Sequence, residues 1–444
     1  MDGAEKKTLA TVEASLSEAW EKVRTILSGS EPKDFGAVEE YLRTEGQEIG
    51  RTLLQNALDA QSINERPRPQ EQCAAGHRYE ALEQRTKRVT TLVGNVTIRR
   101  WYYYDGACGK GKIPLDSAWD IEHTSFSPEM RRLMAQMGAL LPFRSAAEQL
   151  RSLSGISVDS KDIERIIRPV ASRVEATERE PMSVPPGGVL YVSMDGTGVP
   201  MVQQELTGRK GKGSDGQAKT REAKLGCFFT QTKRDSQGYP VRDDNSTTYV
   251  GAIASPDAFG QQLWREAKRR GIDTAQTVVA LCDAAAWEWN LVEEYFPNAV
   301  QIVDLYHARE HYWTIARAKW PNNPRRQHQW AKKREKELDS GQAQRVARAI
   351  SRLRPCTPEL QALCLREAEF FVKNERRMAY KRFRRRGFFV GTGVLEAGCK
   401  TVIGQRLKQP GMHWTVNGAN AIISLRSALV GHDWPVAENY AKAA

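Results

Sequence analysis

Two short apolar runs each close on an aspartate: TVVALC leads into Asp283 and NAVQIV into Asp304, with a helix-length segment from Trp287 to Tyr295 between them. Upstream, GVLYVSMDGTGVPM has the texture of a buried strand that runs into Asp195 and then a glycine turn. REAKLGCFFTQT and STTYVGAI predict two more strands, and AFGQQLWREAKRRG predicts a helix before TVVALC. The loop GRKGKGSDGQAKT between the first two strands is not a phosphate-binding loop, because it lacks the GxxxxGK[ST] spacing and the strand-to-helix setting.

A three-stranded meander followed by helix, strand, helix, strand is the order of a ribonuclease-H-like α/β domain. In open α/β sheets the carboxyl ends of strands gather at one edge, where sites form. Asp195 and Asp283, 88 residues apart (283 − 195), can meet there. Two carboxylates about 4 Å apart repel by roughly 4 kcal/mol at an effective dielectric of 20, and a divalent cation reverses that sign. Oxygen ligands suit Mg²⁺ or Mn²⁺, and a third acid completes a site for two ions of the kind used in phosphoryl transfer. Glu396, in GTGVLEAGCKTVIGQRLK, follows a glycine turn at the start of a predicted helix and is the best third acid. Each acid has a structural alternative as a helix cap or turn residue, and Asp304 is an alternative to Asp283 as the second ligand. Asp304 and His307 either cap the next helix or stand beside the site. Trp287 and Trp289 read as packing residues, and His311 as a face of the same helix.

The 444 residues carry a formal charge of +12 and a pI near 9.3, which favours a polyanionic partner, most simply nucleic acid. No run of about 18 apolar residues exists, and MDGAEKKTLATVEASL lacks the apolar core of a signal peptide, so a soluble chain without membrane contact is expected. Seven scattered cysteines fit reduced thiols in a cytosolic compartment. Residues 1–65 read as a helical region and 66–125 as a β module, built on a hairpin over Arg85 to Tyr104 with its turn at Val93-Gly94-Asn95-Val96. The hairpin's ends carry Cys73, His77 and Cys108. Residues 126–185 read as helical, with a helix-turn-helix candidate in which Ser157 or Asp159 caps KDIERIIRPVASRV. Residues 186–434 hold the α/β domain. The basic stretches QHQWAKKREKELDSGQAQRVARAISRLR and RRMAYKRFRRRGFF are either solvated helix faces or phosphate contacts, with Tyr380, Phe383, Phe388 and Phe389 interleaved mostly as core.

VSMDGTGVPM, GQAKTREAKLGCFFTQT, STTYVGAI, FPNAVQIVDLYHAREHYW and VLEAGCKTVIGQRLK…GMHW…GANAIISLR resemble blocks of bacterial insertion-sequence transposases of the DDE type, in particular the ISKra type. The resemblance runs from about residue 70 to 434. It implies that Asp195, Asp283 and Glu396 are the catalytic acids, holding two Mg²⁺ or Mn²⁺ ions. Asp304-Leu-Tyr-His307 resembles the C/D-x-x-H signature of Mutator-like, hAT and Transib relatives, which places Asp304 and His307 in support of the active site. The 113 residues between the second and third acids (396 − 283) resemble that group too, where a helical insertion, here about 307–386, interrupts the nuclease fold. Arg382, Arg384, Arg385, Arg386, Lys400, Arg406 and Lys408 would contact DNA, and the 126–185 region would sit near the transposon end. Cys73, His77 and Cys108 resemble a degenerate zinc ribbon; with Asp105 they make a set that Zn²⁺ accepts, although structural sites favour thiolate and imidazole. The implied activity is metal-dependent cleavage and strand transfer on double-stranded DNA, by a homo-oligomer of at least two copies, in the bacterial cytoplasm with the nucleoid. Two other classes stand beside it: a non-catalytic DNA-binding protein derived from a transposase, and a ribonuclease-H-fold nuclease that cleaves without joining.

Overall fold

Alternating β-branched and basic residues build a long hairpin, β1 (Glu80–Thr91) and β2 (Gly94–Asp105), extended by the short β3 (Lys110–Lys112). Its turn is Leu92-Val93, with Thr91 paired to Gly94, two residues earlier than the expected Gly94-Asn95. Burial decides the register. Pairing Val89 with Val96 puts Val89, Val96 and Ile98 in one cluster with Leu115 and Ile121, whereas the later turn would set Val89 opposite Arg100. In the computed structural model, which describes residues 3–28, 34–64, 72–73, 76–177, 179–211, 216–431 and 433, this hairpin belongs to the first of two units, Met1–Val170 and Ala171–Val436. The same unit contains α1 (Gly3–Ser28) and α2 (Phe35–Asn64), whose Leu54 and Leu58 pack on the hairpin cluster. After the hairpin come α3 (Pro114–Ala118), α4 (Pro128–Leu140), α5 (Phe143–Ser154) and α6 (Ser160–Ala176). Gly155 ends α5 at φ 71°, and Asp159 Oδ1 accepts from Lys161 N at 2.7 Å to start α6.

The second unit is mixed α/β. Its sheet contains β4 (Val189–Pro200), β5 (Thr220–Gln231), β8 (Thr248–Ala252), β9 (Thr277–Cys282) and β10 (Val300–Val303); β6 (Lys233–Arg234) and β7 (Pro240–Val241) form a separate small ribbon. The order is β10-β9-β4-β5-β8, antiparallel through β4, β5 and β8 and parallel through β4, β9 and β10. Helix α7 (Pro256–Arg269) precedes β9, and α8 (Ala286–Tyr295) joins β9 to β10. No glycine turn follows Asp195: β4 continues to Pro200, paired residue by residue with β5. Gly196 and Gly198 leave room for the neighbouring strand's side chains: a Cβ at Gly196 would lie 2.6 Å from Glu222 Oε1 and one at Gly198 3.0 Å from Thr220 Oγ1.

After β10 the chain is helical through α9 (Leu305–Lys319), α10 (Pro324–Asp339), α11 (Ala343–Ser351), α12 (Pro358–Lys373) and α13 (Tyr380–Arg385). It then returns to the sheet through α14 (Gly393–Gly398), a wide π-turn over Cys399–Gly404, α15 (Gln405–Leu407) and the apolar α16 (Val416–Val430). Arg426 of α16 is buried and donates from Nε to the carbonyls of Thr401 and Val402 at 3.1 and 2.9 Å, serving groups that a wide turn leaves open. No helix among the described residues is long and apolar enough to cross a membrane.

Candidate active site

Parallel pairing of β4 with β9 sets Val189 against Thr277, an offset of 88 (277 − 189), and Asp195 and Asp283 share that offset (283 − 195). Both acids therefore stand at the same level just beyond the paired rungs, at the carboxyl edge of the sheet. Asp283 Oδ1 is buried with no hydrogen-bond partner among the described residues, and Oδ2 lies 3.8 Å from His307 Nδ1. Burial, and then the charges of Asp304, Asp195 and Glu396, push the Asp283 carboxyl up to about 7. The next residue, Ala284, has φ 84°, a left-handed conformation unusual for a side chain with a Cβ. Glu288 reaches back over this bend, its Oε2 accepting from Ala284 N and Ala285 N at 3.0 Å each. Burial, and then Asp283, push Glu288 up to about 8. Sequence reading misses Glu288; the available signal is a glutamate at the third position of helix α8.

The third acid arrives from a distant segment. Glu396 lies exposed in the first turn of α14, and three residues on, Cys399 Sγ donates to Asp195 Oδ2 at 3.5 Å, holding this helix against β4. Asp304 differs from Asp283 in having both oxygens engaged: Oδ1 accepts from His307 N as the cap of α9, and Oδ2 accepts from Thr392 N and, at 3.0 Å, from Thr392 Oγ1. Burial, and then His311, lower the pKa of His307. His311 is not merely a helix face. Its Nε2 is 3.3 Å from His307 Nε2, its Nδ1 contacts Glu367 of α12, and its ring stacks on Phe370 at 3.6 Å. Asp283, His307, His311 and Glu367 thus form a line from the sheet edge into the inserted helices.

The uncharacterised protein family UPF0236 matches residues 33–439. The chain belongs to UPF0236. No curated protein matches it. Among solved structures, the Drosophila P element transposase strand transfer complex is similar to 74% of this UPF0236 chain and 84% of that one, at 12% identity and a TM-score of 0.25. The ISKra type expected from the sequence is a finer label than UPF0236 carries.

The basic residues expected on DNA divide in this UPF0236 chain into three groups. Lys400 and Lys408 are exposed at the acid edge, Lys400 Nζ 3.9 Å from Glu396 and Lys408 donating to Thr197 Oγ1, two residues from Asp195. Arg382, Arg384, Arg385 and Arg386 are exposed on and after α13; Arg382 and Arg386 line a groove of about 660 Å³ with Arg376, Arg377 and the residues that begin β10, the end of that strand away from Asp304. Arg406 is a correction. It is 1% exposed, its Nη1 contacts Met412 Sδ at 3.3 Å and its guanidinium lies 5.0 Å from the centre of the Trp414 ring. Packing at the end of α15 places it in the core, where burial lowers its pKa to about 10.

Tyr380, Phe383 and Phe388 are buried, and Phe389 packs edge-on against Tyr191 and Phe229. The exposed aromatic at the acid edge is Tyr306, 61% exposed, two residues past Asp304. Trp287 packs edge-on to Phe259 and Trp289 is buried beneath Arg377, as packing residues do.

Proposed function

We propose that this UPF0236 chain is a DDE-type DNA transposase with a ribonuclease-H-like catalytic unit, cutting phosphodiesters at the ends of an insertion sequence and joining the freed 3′ ends to target DNA. The observation that carries the reading is the shared level of Asp195 and Asp283 on adjacent parallel strands, with an oxygen of Asp283 buried and unpartnered among the described residues and the charges of Asp195 and Glu396 acting on it. The strand order, parallel on one side of β4 and antiparallel on the other, supports it, as do the sequence blocks around each acid.

The donor set fits Mg²⁺ or Mn²⁺: all its atoms are carboxylate oxygens, and although burial is the main cause that raises Asp283, the neighbouring negative charges that add to it are what a divalent ion relieves. Bound between Asp195, Asp283 and Glu396, two such ions would supply positive charge at the attacking and leaving oxygens of in-line displacement. The chain's own groups do the rest. Asp304 caps α9 and holds Thr392, so that α14 presents Glu396 to the edge. Lys400, Lys408 and the arginines on and after α13 contact phosphates, and pairing two ends calls for at least two copies. In cleavage, water's oxygen bonds to phosphorus, the bond from phosphorus to the 3′-oxygen breaks, and that oxygen takes a proton. In joining, the 3′-hydroxyl attacks a target phosphodiester and displaces its 3′-oxygen.

The test incubates purified protein with labelled double-stranded DNA carrying the sequences that flank its coding region. Cleavage at both boundaries and a joined product in Mg²⁺ or Mn²⁺, both lost in Asp195→Ala, Asp283→Ala and Glu396→Gln, are expected. Cleavage without joining would make the protein a nuclease. Binding without cleavage in either metal would favour the non-catalytic class.

A further inference from the structure

At the foot of the β1–β2 hairpin, far in sequence from the acids, four side chains of mixed chemistry converge. Cys73 and His77 share one tight turn, in which Gly76 N donates to the Cys73 carbonyl at 2.9 Å and Cys73 N to the His77 carbonyl at 2.8 Å, with Gly76 at φ 81°. Asp105 and Cys108 share a second turn, where Asp105 Oδ1 accepts from Ala107 N and Cys108 N at 2.9 and 3.2 Å. Cys73 Sγ lies 3.5 Å from Cys108 Sγ, and His77 Nδ1 lies 2.9 Å from Cys108 Sγ and 3.8 Å from Asp105 Oδ2. Every one of the four donor atoms is within 4.8 Å of the others.

Asp105 supplies a second, independent observation. Its residue is 2% exposed, Oδ1 is used by the turn, and Oδ2 is buried without a hydrogen bond among the described residues, facing the imidazole and the two sulphurs. Burying a carboxylate oxygen without a partner is strongly unfavourable unless a cation compensates it. The sulphurs are too far apart for a disulfide, whose S–S length is about 2.05 Å. They are instead at the edge length of a small tetrahedron: ligands about 2.3 Å (sulphur) and about 2.0 Å (nitrogen, oxygen) from a centre stand roughly 3.3–3.8 Å from one another.

We propose that Cys73 Sγ, His77 Nδ1, Asp105 Oδ2 and Cys108 Sγ bind one structural zinc ion that fastens the segment before β1 to the end of β2. Both thiols lose their protons to solvent on binding, so zinc uptake releases protons. Four protein ligands leave no open position, which makes the site a staple and not a catalyst. The spacing is its own: three residues between Cys73 and His77, and a carboxylate in place of the thiolate that a Cys-x-x-Cys turn would put at Asp105. The inference stands apart from the transposase reading, because it concerns metal content and not DNA.

Elemental analysis of the full-length chain, purified under reducing conditions without chelator, is expected to find one zinc per chain. Replacement by Co²⁺ should give the absorption of a tetrahedral site with thiolate charge transfer, and a strong chelator should lower the melting temperature. Asp105→Asn should weaken zinc binding by at least about tenfold, and Asp105→Cys should tighten it. A metal-free chain that takes up no Co²⁺, iron in place of zinc, a Cys73–Cys108 disulfide in the mass spectrum, or undiminished zinc in Cys108→Ser would each overturn the assignment. If the variants fail to fold, the Co²⁺ spectrum of the unaltered chain decides alone.

Discussion

Asp304 and Thr392, 88 residues apart, are joined twice: the Thr392 backbone N–H and its hydroxyl both donate to Asp304 Oδ2. The end of β10 is thereby tied to the start of the helix that carries Glu396, and both oxygens of Asp304 are engaged in that tie and in capping α9. Replacing Asp304 by Ala should cost about 3 kcal/mol of stability, from a lost cap and two buried donors left unpaired. Asp283→Asn should instead melt higher than the parent in chelator, while abolishing cleavage. An Asp304→Ala protein that melts like the parent would remove the cap from this account.

Acidity provides a second test. The Asp283 carboxyl rises from 3.8 to about 7 on folding, so between about pH 4 and 7 the folded state holds a proton that the unfolded chain has released. Stability from this group is full below pH 4 and lost as pH rises towards 7; Glu288, raised from 4.5 to about 8, extends the decline. Denaturant unfolding in chelator should therefore show a stability that falls across this window, and Asp283→Asn should flatten the fall. A profile that rises with pH and ignores the substitution would contradict the proposed crowding of acids.

Arg406 and the arginines at the end of α13 should part company experimentally. Arg406→Ala should destabilise the fold by about 2–3 kcal/mol and leave the salt dependence of DNA binding alone, because its guanidinium is in the core. Replacing Arg384, Arg385 and Arg386 together should leave the melting temperature nearly unchanged and reduce the log–log salt slope by about 0.9 for each phosphate that is no longer neutralised. Filter binding across a salt series, with thermal melts on the same samples, separates the two.

Ala284 holds a conformation that glycine adopts without strain. Ala284→Gly should raise stability by roughly 1 kcal/mol, after allowing for the extra freedom of glycine in the unfolded chain. A loss of stability on calorimetry would mean that the Ala284 methyl packs in a way that outweighs the bend.

The alternation of apolar runs and helical segments is legible because β4, β5, β8, β9 and β10 are buried strands whose side chains must be apolar wherever the sheet is covered. Glycine misleads after Asp195, since Gly196 and Gly198 have the composition of a turn and yet lie inside β4, paired with Lys224 and Glu222 of the neighbouring strand. Arg406 sits in a basic run and is buried by Trp414, which comes from beyond the next turn. The hydrogen bond between His311 and Glu367 spans 56 residues, and the left-handed backbone of Ala284 follows from the path between β9 and α8. Nothing local announces either one, so the acids are readable from the chain while most of what aims them is not.

The wide turn at Cys399–Gly404 puts the two ends of its helix out of phase. Each residue of an α-helix advances the side-chain direction by about 100°, so the additional residue in that turn rotates Glu396 relative to Arg406 by the same amount. Deleting one residue within 399–404 would leave a continuous, well-formed helix, visible as undiminished helical circular dichroism. Yet it would aim either the carboxylate or the arginine the wrong way. The fidelity of the edge thus depends on angular timing along one short helix, set by Arg426 from the helix behind it.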